Sequence, residues 1–221
     1  MDDPALAEPH HHAALRALAR INRISASVQI VWRPIQALAR RHPRPLSVLD
    51  VACGGGDVPI GLQNRARRAG IDLQVAGCDI SSRTVEFARR SAAKRRAPVH
   101  FFEHDVLSDP LPDEYDVIMS SLFLHHLEND TALQMLRSIA KRTQRLVLIN
   151  DLDRSRLGYA LARCVSQLIT RSRVVHVDAP LSVRAAFTKE EAADLAESAG
   201  LSDARVQRCW PCRWLLSWSR S

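Results

Sequence analysis

Residues Ser47-Val-Leu-Asp-Val-Ala-Cys-Gly-Gly-Gly-Asp57 constrain the fold of this chain more than any other stretch. A short apolar run ends in an acid, passes through three consecutive glycines and gives way to a helical pattern. A strand, a tight turn and a helix read this way. Glycine has no Cβ and accepts positive φ, so the backbone in such a turn can approach a ligand closely. The helix that follows presents unpaired N–H groups at its start. The pattern then repeats. Asp72–Asp79 and Val99–Asp105 read as strands that end in acids, and Tyr115–Ser121 as a fourth strand. Strands near 47–52, 73–79, 99–104, 115–121 and 145–151 alternate with helices near 57–69, 82–96, 129–142 and about 155–171. Such alternation implies a doubly wound α/β fold with a parallel sheet.

Capping residues mark the boundaries. Ser81-Ser82 precedes the second of these helices, with Glu86 early in it. Thr188-Lys-Glu-Glu191 is a capping-box pattern opening a last helix that ends at Gly200. Ala204–Trp210 and Arg213–Trp218 read as two further strands. Residues 5–41 are helical in pattern, with Leu15, Leu18, Ile21 and Ile24 at helical spacing. Pro34 is expected to start a separate helix, Ile35–Arg41, because proline is tolerated in a first turn. The expected organisation is an N-terminal helical cap, 1–44, and one α/β domain, 45–221.

The glycine turn leaves the choice of ligand open between two patterns. A dinucleotide site wants G-x-G-x-x-G. Here Pro59 stands where the third glycine belongs. The stretch instead resembles the first motif of the class I S-adenosylmethionine (SAM) methyltransferases, [V/I]-L-D-x-G-x-G-x-G. Val48, Leu49, Asp50, Gly54 and Gly56 match it, and Ala52 replaces the first glycine. A carboxylate at Asp79 can accept both ribose hydroxyls, as an acid does past a dinucleotide loop. The resemblance places Asp105 beside the adenine amino group. It covers roughly residues 45–150. It implies SAM as cofactor, held by Asp50, Ala52, Gly54, Gly56, Asp79, Ile80, Asp105, Val106 and Ser121. It also implies a seven-stranded, mostly parallel Rossmann-like sheet completed by the C-terminal hairpin.

Methyl transfer from a sulfonium needs alignment, exclusion of water and, for some acceptors, a base. Alignment alone supplies about 7–11 kcal/mol, and a base a factor of roughly 10²–10⁴. Candidate bases lie at the strand ends: His125 and His126 after strand four, Asn150 and Asp151 at the end of strand five. Histidine titrates in the range that suits a phenol or enol proton. The alternative reading is that one histidine caps or orients the following helix and neither is catalytic. Some similar quinone-pathway enzymes bind a metal through Glu-x-x-Glu-His. Here that run is Leu122-Phe-Leu-His125-His126, so no metal is expected. The segment about 171–187 is expected to form a lid over the acceptor, with Asp178 and Arg184 as a candidate ion pair. The runs Asn150–Gly158, Thr170–Val174, Pro180–Phe187 and Trp210-Pro-x-Arg-Trp resemble a bacterial subgroup associated with type III polyketide synthase clusters. The implied acceptor is a small hydroxylated aromatic or polyketide-type molecule, methylated on oxygen. Alternatives are C-methylation of a quinone-type precursor, methylation of RNA on ribose or a base carbon, and a non-enzymatic partner subunit of the same fold.

Charge bears on the nucleic-acid alternative. The 221 residues carry a net charge of +7. The basic clusters at Arg65–Arg68 and Arg89–Arg96 fall on helices expected to cover the sheet, where a solvated face is the plainer reading, so a small molecule rather than nucleic acid is the expected partner. Ser120-Ser121-Leu122-Phe123 stands where base-amino methyltransferases carry prolines and an aromatic. Five cysteines, an odd number, argue against a disulfide framework. Cys209-Trp-Pro-Cys212 lacks a second ligand pair and reads as a C-terminal strand, and His10-His-His12 as a tail. Without an apolar run of about 20 residues or a signal pattern, a cytoplasmic location is expected.

Overall fold

The computed structural model describes residues 26–169 and 173–220. The expected helices around Leu15–Ile24, and His10–His12, lie outside them. The sequence order is α1 (Ser27–Ala39), β1 (Leu46–Val51), α2 (Asp57–Arg68), β2 (Leu73–Asp79), α3 (Ser82–Lys94), β3 (Val99–Glu103), β4 (Tyr115–Ser121), α4 (Asn129–Arg142), β5 (Thr143–Leu152), α5 (Arg156–Ile169), α6 (Arg173–Ala185), α7 (Lys189–Ser198), β6 (Arg205–Cys209) and β7 (Arg213–Ser219). A single 3₁₀ turn, Leu124–His126, follows β4.

One seven-stranded sheet has the order β3-β2-β1-β4-β5-β7-β6. The pairs β1–β2, β1–β4, β2–β3 and β4–β5 are parallel, and β7 runs antiparallel to both β5 and β6. The order reverses between β1 and β4, which opens a crevice at their carboxyl ends. Alternation along the strands sorts side chains to two faces. Val48, Val117, Met119, Leu146, Leu148 and Leu215 pack with Ile30, Val31 and Ile35 of α1 and Val58 and Leu62 of α2. Leu49, Val51, Ile118, Val147, Ile149 and Leu216 pack with α4 and α7 on the other face.

The expected capping forms at both sites. Ser81 Oγ accepts from Thr84 N–H at 3.3 Å. Thr188 and Glu191 make the reciprocal pair, at 3.2 Å and 2.8 Å. Pro34 departs from the expectation: it lies inside α1 rather than opening a second helix. An interior proline removes a hydrogen bond and crowds the preceding turn, at about 3 kcal/mol. Burial of Ile30, Val31, Trp32 and Ile35 on both sides of Pro34 holds the helix through it. The expected lid is itself largely helix, α6, and it too contains a proline, Pro180. Asp178 and Arg184 form no ion pair, because six residues turn a helix by about 600° and separate them around its axis. Of Cys209-Trp-Pro-Cys212, only Cys209 is strand, the last residue of β6; residues 210–212 are the turn to β7, with Trp210 78% exposed at its tip.

Candidate active site

The glycine turn builds a cradle at the carboxyl end of β1. Gly54 has φ +53, and a Cβ placed on it would meet nothing within 4 Å. That space is where a ligand could lie against the backbone. Gly56, at φ +75, is needed for a different reason: a Cβ there would come within 2.7 Å of the Phe101 ring. Ala52, the residue standing at the motif's first glycine, also adopts φ 54. The turn therefore keeps the glycine-type conformation without the glycine, at about 1–2 kcal/mol of strain.

Hydrogen bonds fix two acids, Asp79 at the end of β2 beside this cradle and Asp105 two residues beyond β3. Asp79 accepts from the Gly54 N–H through Oδ2 and from the Ser81 N–H through Oδ1, both at 3.0 Å. It thus ties the glycine turn to the start of α3. Ile80 beside it is 65% exposed, an uncovered apolar surface at the crevice. Asp105 accepts from Leu107 N–H at 3.0 Å and from the Ser108 hydroxyl at 2.7 Å. The Ser108 bond and then the Leu107 bond hold its carboxyl below the usual range. A carboxylate has about four lone-pair sites, so Asp105 retains acceptor capacity. Val106 is buried behind Asp105.

Across the crevice the two histidines part company. His125 is buried and its Nδ1 lies 2.7 Å from Asp151 Oδ1. The His125 backbone N–H donates to the other oxygen, Oδ2, at 3.0 Å. Burial pulls the His125 pKa down, but the charge and hydrogen bond of Asp151, with the Asp178 charge, outweigh it and raise the pKa overall. Burial likewise pushes Asp151 up, and His125 more than reverses this, so that its carboxyl stays below its ordinary value. With Nδ1 committed to Asp151, Nε2 has no hydrogen-bond partner among the described residues. His126 is exposed, its ring 4.2 Å from that of His125. The Asp178 charge reaches His125 from α6, which lies over the 3₁₀ turn.

Residues 48–146 match the family described as "Methyltransferase domain". A demethylmenaquinone methyltransferase of Thermus thermophilus is 30% identical over 132 residues, 58% of this chain and 58% of that protein. A ubiquinone biosynthesis O-methyltransferase of Rickettsia akari is 25% identical over 154 residues, 69% of this chain and 57% of that protein. The chain therefore spans less than two thirds of the length of either relative. Among solved structures, magnesium protoporphyrin IX methyltransferase from Synechocystis with bound S-adenosylhomocysteine (SAH) has the same fold. Its TM-score is 0.63 at 19% identity, over 89% of this chain and 83% of that one. Residues 48–146 carry a methyltransferase domain, and the sheet built on them has the class I methyltransferase fold.

The residues of this methyltransferase domain fit the cofactor of its family by a test internal to the structure. An unpaired buried polar atom costs about 1–3 kcal/mol. Asp50 Oδ1, Ser121 Oγ, and Asn150 Oδ1 and Nδ2 are all buried without a partner. All lie at the carboxyl end of β1, β4 or β5. Burial first, then the charges of Asp57 and Asp79, push the Asp50 carboxyl well above its ordinary range. Arg213 of β7 was not legible as a site residue. It is buried, and its Nη1 donates to Ser27 Oγ at 2.6 Å. Burial lowers its pKa to about 10 against the pull of Asp151 and Asp57. Its one sequence signal is a cation inside the otherwise apolar run Arg213–Leu216. Among the described residues no helix is long and apolar enough to cross a membrane, and no three His, Cys, Asp or Glu side chains cluster as a metal site.

Proposed function

We propose that this chain transfers a methyl group from SAM to the hydroxyl oxygen of a small aromatic or polyketide-type acceptor, with His125 as the base and Asp151 as its positioning residue. The buried His125–Asp151 pair at the β4–β5 edge carries this reading. When bound, SAM supplies an electrophilic methyl group. Asp50, Gly54, Asp79 and Asp105 would hold it, with Ala52, Gly56, Ile80, Val106 and Ser121 shaping the site around it. Asp151 fixes the proton of the neutral imidazole on Nδ1, which presents Nε2 to the acceptor. As the new O–C bond forms and the C–S bond breaks, the acceptor's hydroxyl proton passes to Nε2. Asp151 then stabilises the imidazolium. The raised His125 pKa suits an acceptor more acidic than an alcohol, since a base works best near the pKa it must match.

C-methylation of a quinol remains a second reading, favoured by the similarity to a demethylmenaquinone methyltransferase. It needs removal of the same kind of proton, so one base serves both. The deciding experiment is methyl transfer from labelled SAM to phenols and to quinols, with the methylated atom identified by NMR of the product. Methoxy product that vanishes in His125→Ala supports the proposal. Ring-methyl product supports the second reading. Methylation of RNA with none of either acceptor class overturns both.

A further inference from the structure

Six large apolar side chains are exposed among the described residues: Ile80, Leu107, Leu157, Val177, Leu181 and Trp210. All six stand at the carboxyl edge of the sheet. Ile80 and Leu107 follow β2 and β3 and border the cofactor cradle. Leu157 opens α5 after β5, and Val177 and Leu181 lie on α6, which packs on the 3₁₀ turn. Trp210 follows β6, which runs parallel to β5 because both are antiparallel to β7. The last four come from segments that converge. Asp153 N–H donates to the Cys212 carbonyl at 2.9 Å, and a Cβ on Gly158 would stand 3.2 Å from Cys212 Cβ, so the β6–β7 turn abuts the start of α5. Only residues 170–172 separate α5 from α6, and Arg154 N–H donates to the Phe187 carbonyl at 3.4 Å. The end of α6 therefore returns to the start of α5, as in an antiparallel helix pair. Both helices turn an apolar stripe outward. Leu157, Ala160 and Cys164 are exposed at i, i+3 and i+7 of α5, and Val177, Leu181 and Ala185 at i, i+4 and i+8 of α6. The two helices carry four arginines, Arg156, Arg163, Arg173 and Arg184, against one acid, Asp178. At the end of β6, the Arg208 side chain is 70% exposed although Asp153 lies 3.6 Å away.

We propose that this face, led by Trp210, docks on an anionic lipid bilayer and sets the His125 side of the crevice at the lipid surface. Docking does not depend on which atom is methylated. Contiguous exposed apolar surface with a polar rim marks an interaction site, and the makeup of the rim decides among occupants. Outward apolar stripes flanked by arginines suit a segment lying in the plane of the membrane interface. An indole at the tip sits at headgroup level. Arginine stems lie along the apolar surface while their guanidiniums reach the phosphates. A second copy packed through the same face would set these arginines against their own images, on a chain of net charge +7. An anionic lipid surface instead attracts every one of them.

The test is sedimentation of the full chain with vesicles of phosphatidylcholine, alone or in equal parts with phosphatidylglycerol. The anionic vesicles should bind at least about tenfold more tightly, and added salt should weaken that binding. Trp210→Ser, and Leu157→Ser combined with Leu181→Ser, should each cut binding about tenfold. Both should melt with wild type, because the side chains removed are exposed. Arg156→Gln combined with Arg163→Gln should cut binding about thirtyfold. Brominated lipid locates the contact. Trp32 and Trp214 are buried and Trp218 is half-buried, so quenching of wild-type emission should largely vanish in Trp210→Phe. Failure of the full chain to bind either vesicle would overturn the proposal. Binding that all these variants retain would overturn it too, by moving the contact to another surface. A dimer that the same variants abolish, with no vesicle binding, would make a second copy the occupant and overturn it as well. Methyl transfer to a dissolved phenol, measured without vesicles, reads the proposed reaction separately: its absence would defeat that reaction and leave the docking result standing.

Discussion

At the scale of single residues, the position of a charge decides what each side chain can do. His125 and His126 are adjacent in sequence and chemically identical, yet His125 is buried against the Asp151 carboxylate while His126 is exposed. The raised His125 pKa places the rising limb of turnover above the ordinary imidazole value of about 6.5. Asp151→Asn should move that limb down, since the burial that lowers the pKa is then opposed only by Asp178. It should also lower turnover, with SAM affinity held within about twofold; a pH–rate profile with parallel calorimetry checks both. The same pair shapes stability. A raised histidine pKa stabilises the fold fully below the unfolded value, and this is lost as pH rises through the folded value. The depressed Asp151 pKa works in the opposite sense, its contribution being lost as pH falls through the folded value. The stability difference between wild type and His125→Ala should therefore be largest between about pH 4 and 6.5. The glycine turn offers a sharper contrast. Gly54→Ala meets no atom in the protein but fills the cradle and puts an alanine at φ +53, so SAM binding should fall with a backbone-strain loss of about 1–2 kcal/mol and no steric clash. Gly56→Ala strikes Phe101 and should lose stability first. Thermal melts with and without SAM separate the two. The placement of Asp50 and Asp79 near strand ends and of Gly54 and Gly56 in a turn was legible, because sequence periodicity reports where strands stop. The partnership of His125 with Asp151 was not, because 26 residues and a whole helix separate them.

At the scale of elements, local signals held wherever packing agreed with them. The strands at 73–79 and 115–121 and the helix at 129–142 have the expected bounds. Each is a strongly patterned segment closed by turn or cap residues. Pro34 shows where such reading stops. Its backbone chemistry argues for a helix start, but the apolar stripe on either side of it is one continuous surface against β4, β5 and α2. Burial of several large side chains outweighs one missing hydrogen bond, and sequence alone does not show which elements share that surface. Pro34→Ala should restore the missing donor and stabilise the protein by about 1–3 kcal/mol. The greater freedom it gives the unfolded chain offsets about 0.4–1 kcal/mol of this. Urea denaturation measures the net change, and a loss of stability would show that the ring itself packs in the core.

At the scale of the whole molecule, the two edges of the sheet do different work. Among the described residues the carboxyl edge holds four of the five unpaired buried polar atoms, and the opposite edge is sealed by paired ones. There Asp116, fully buried on β4, accepts from Arg44 Nη2 at 2.8 Å, Arg145 Nε at 2.9 Å, and the Ser47 backbone N–H at 3.0 Å. One carboxylate thus joins β1, β4, β5 and the segment entering the sheet. Several other arginines bear on the protein itself. Arg89 donates twice to the Phe101 carbonyl, and Arg65 stacks over Trp32 at 5.9 Å. Part of the basic charge that made nucleic acid worth weighing is therefore engaged within the fold. Asp116→Ala leaves Ser47 and two guanidiniums without their acceptor. Removing one partner of a buried pair costs about 3–5 kcal/mol, and the part-exposure of Arg44 and Arg145 reduces this toward about 2 kcal/mol. Burial pushes the Asp116 pKa up, but the bonds from Ser47 and Arg145 and the Arg44 charge bring it below its ordinary value. Its contribution is therefore complete above about pH 3.9, the unfolded value, and fades as pH falls through the lower folded value. Denaturation of wild type and Asp116→Ala across pH should give a gap that is constant near neutrality and closes in acid. SAM affinity measured at neutral pH should stay within about twofold, because the lesion lies at the edge away from the crevice. A large loss of affinity at unchanged stability would mean that the two edges are coupled through the sheet.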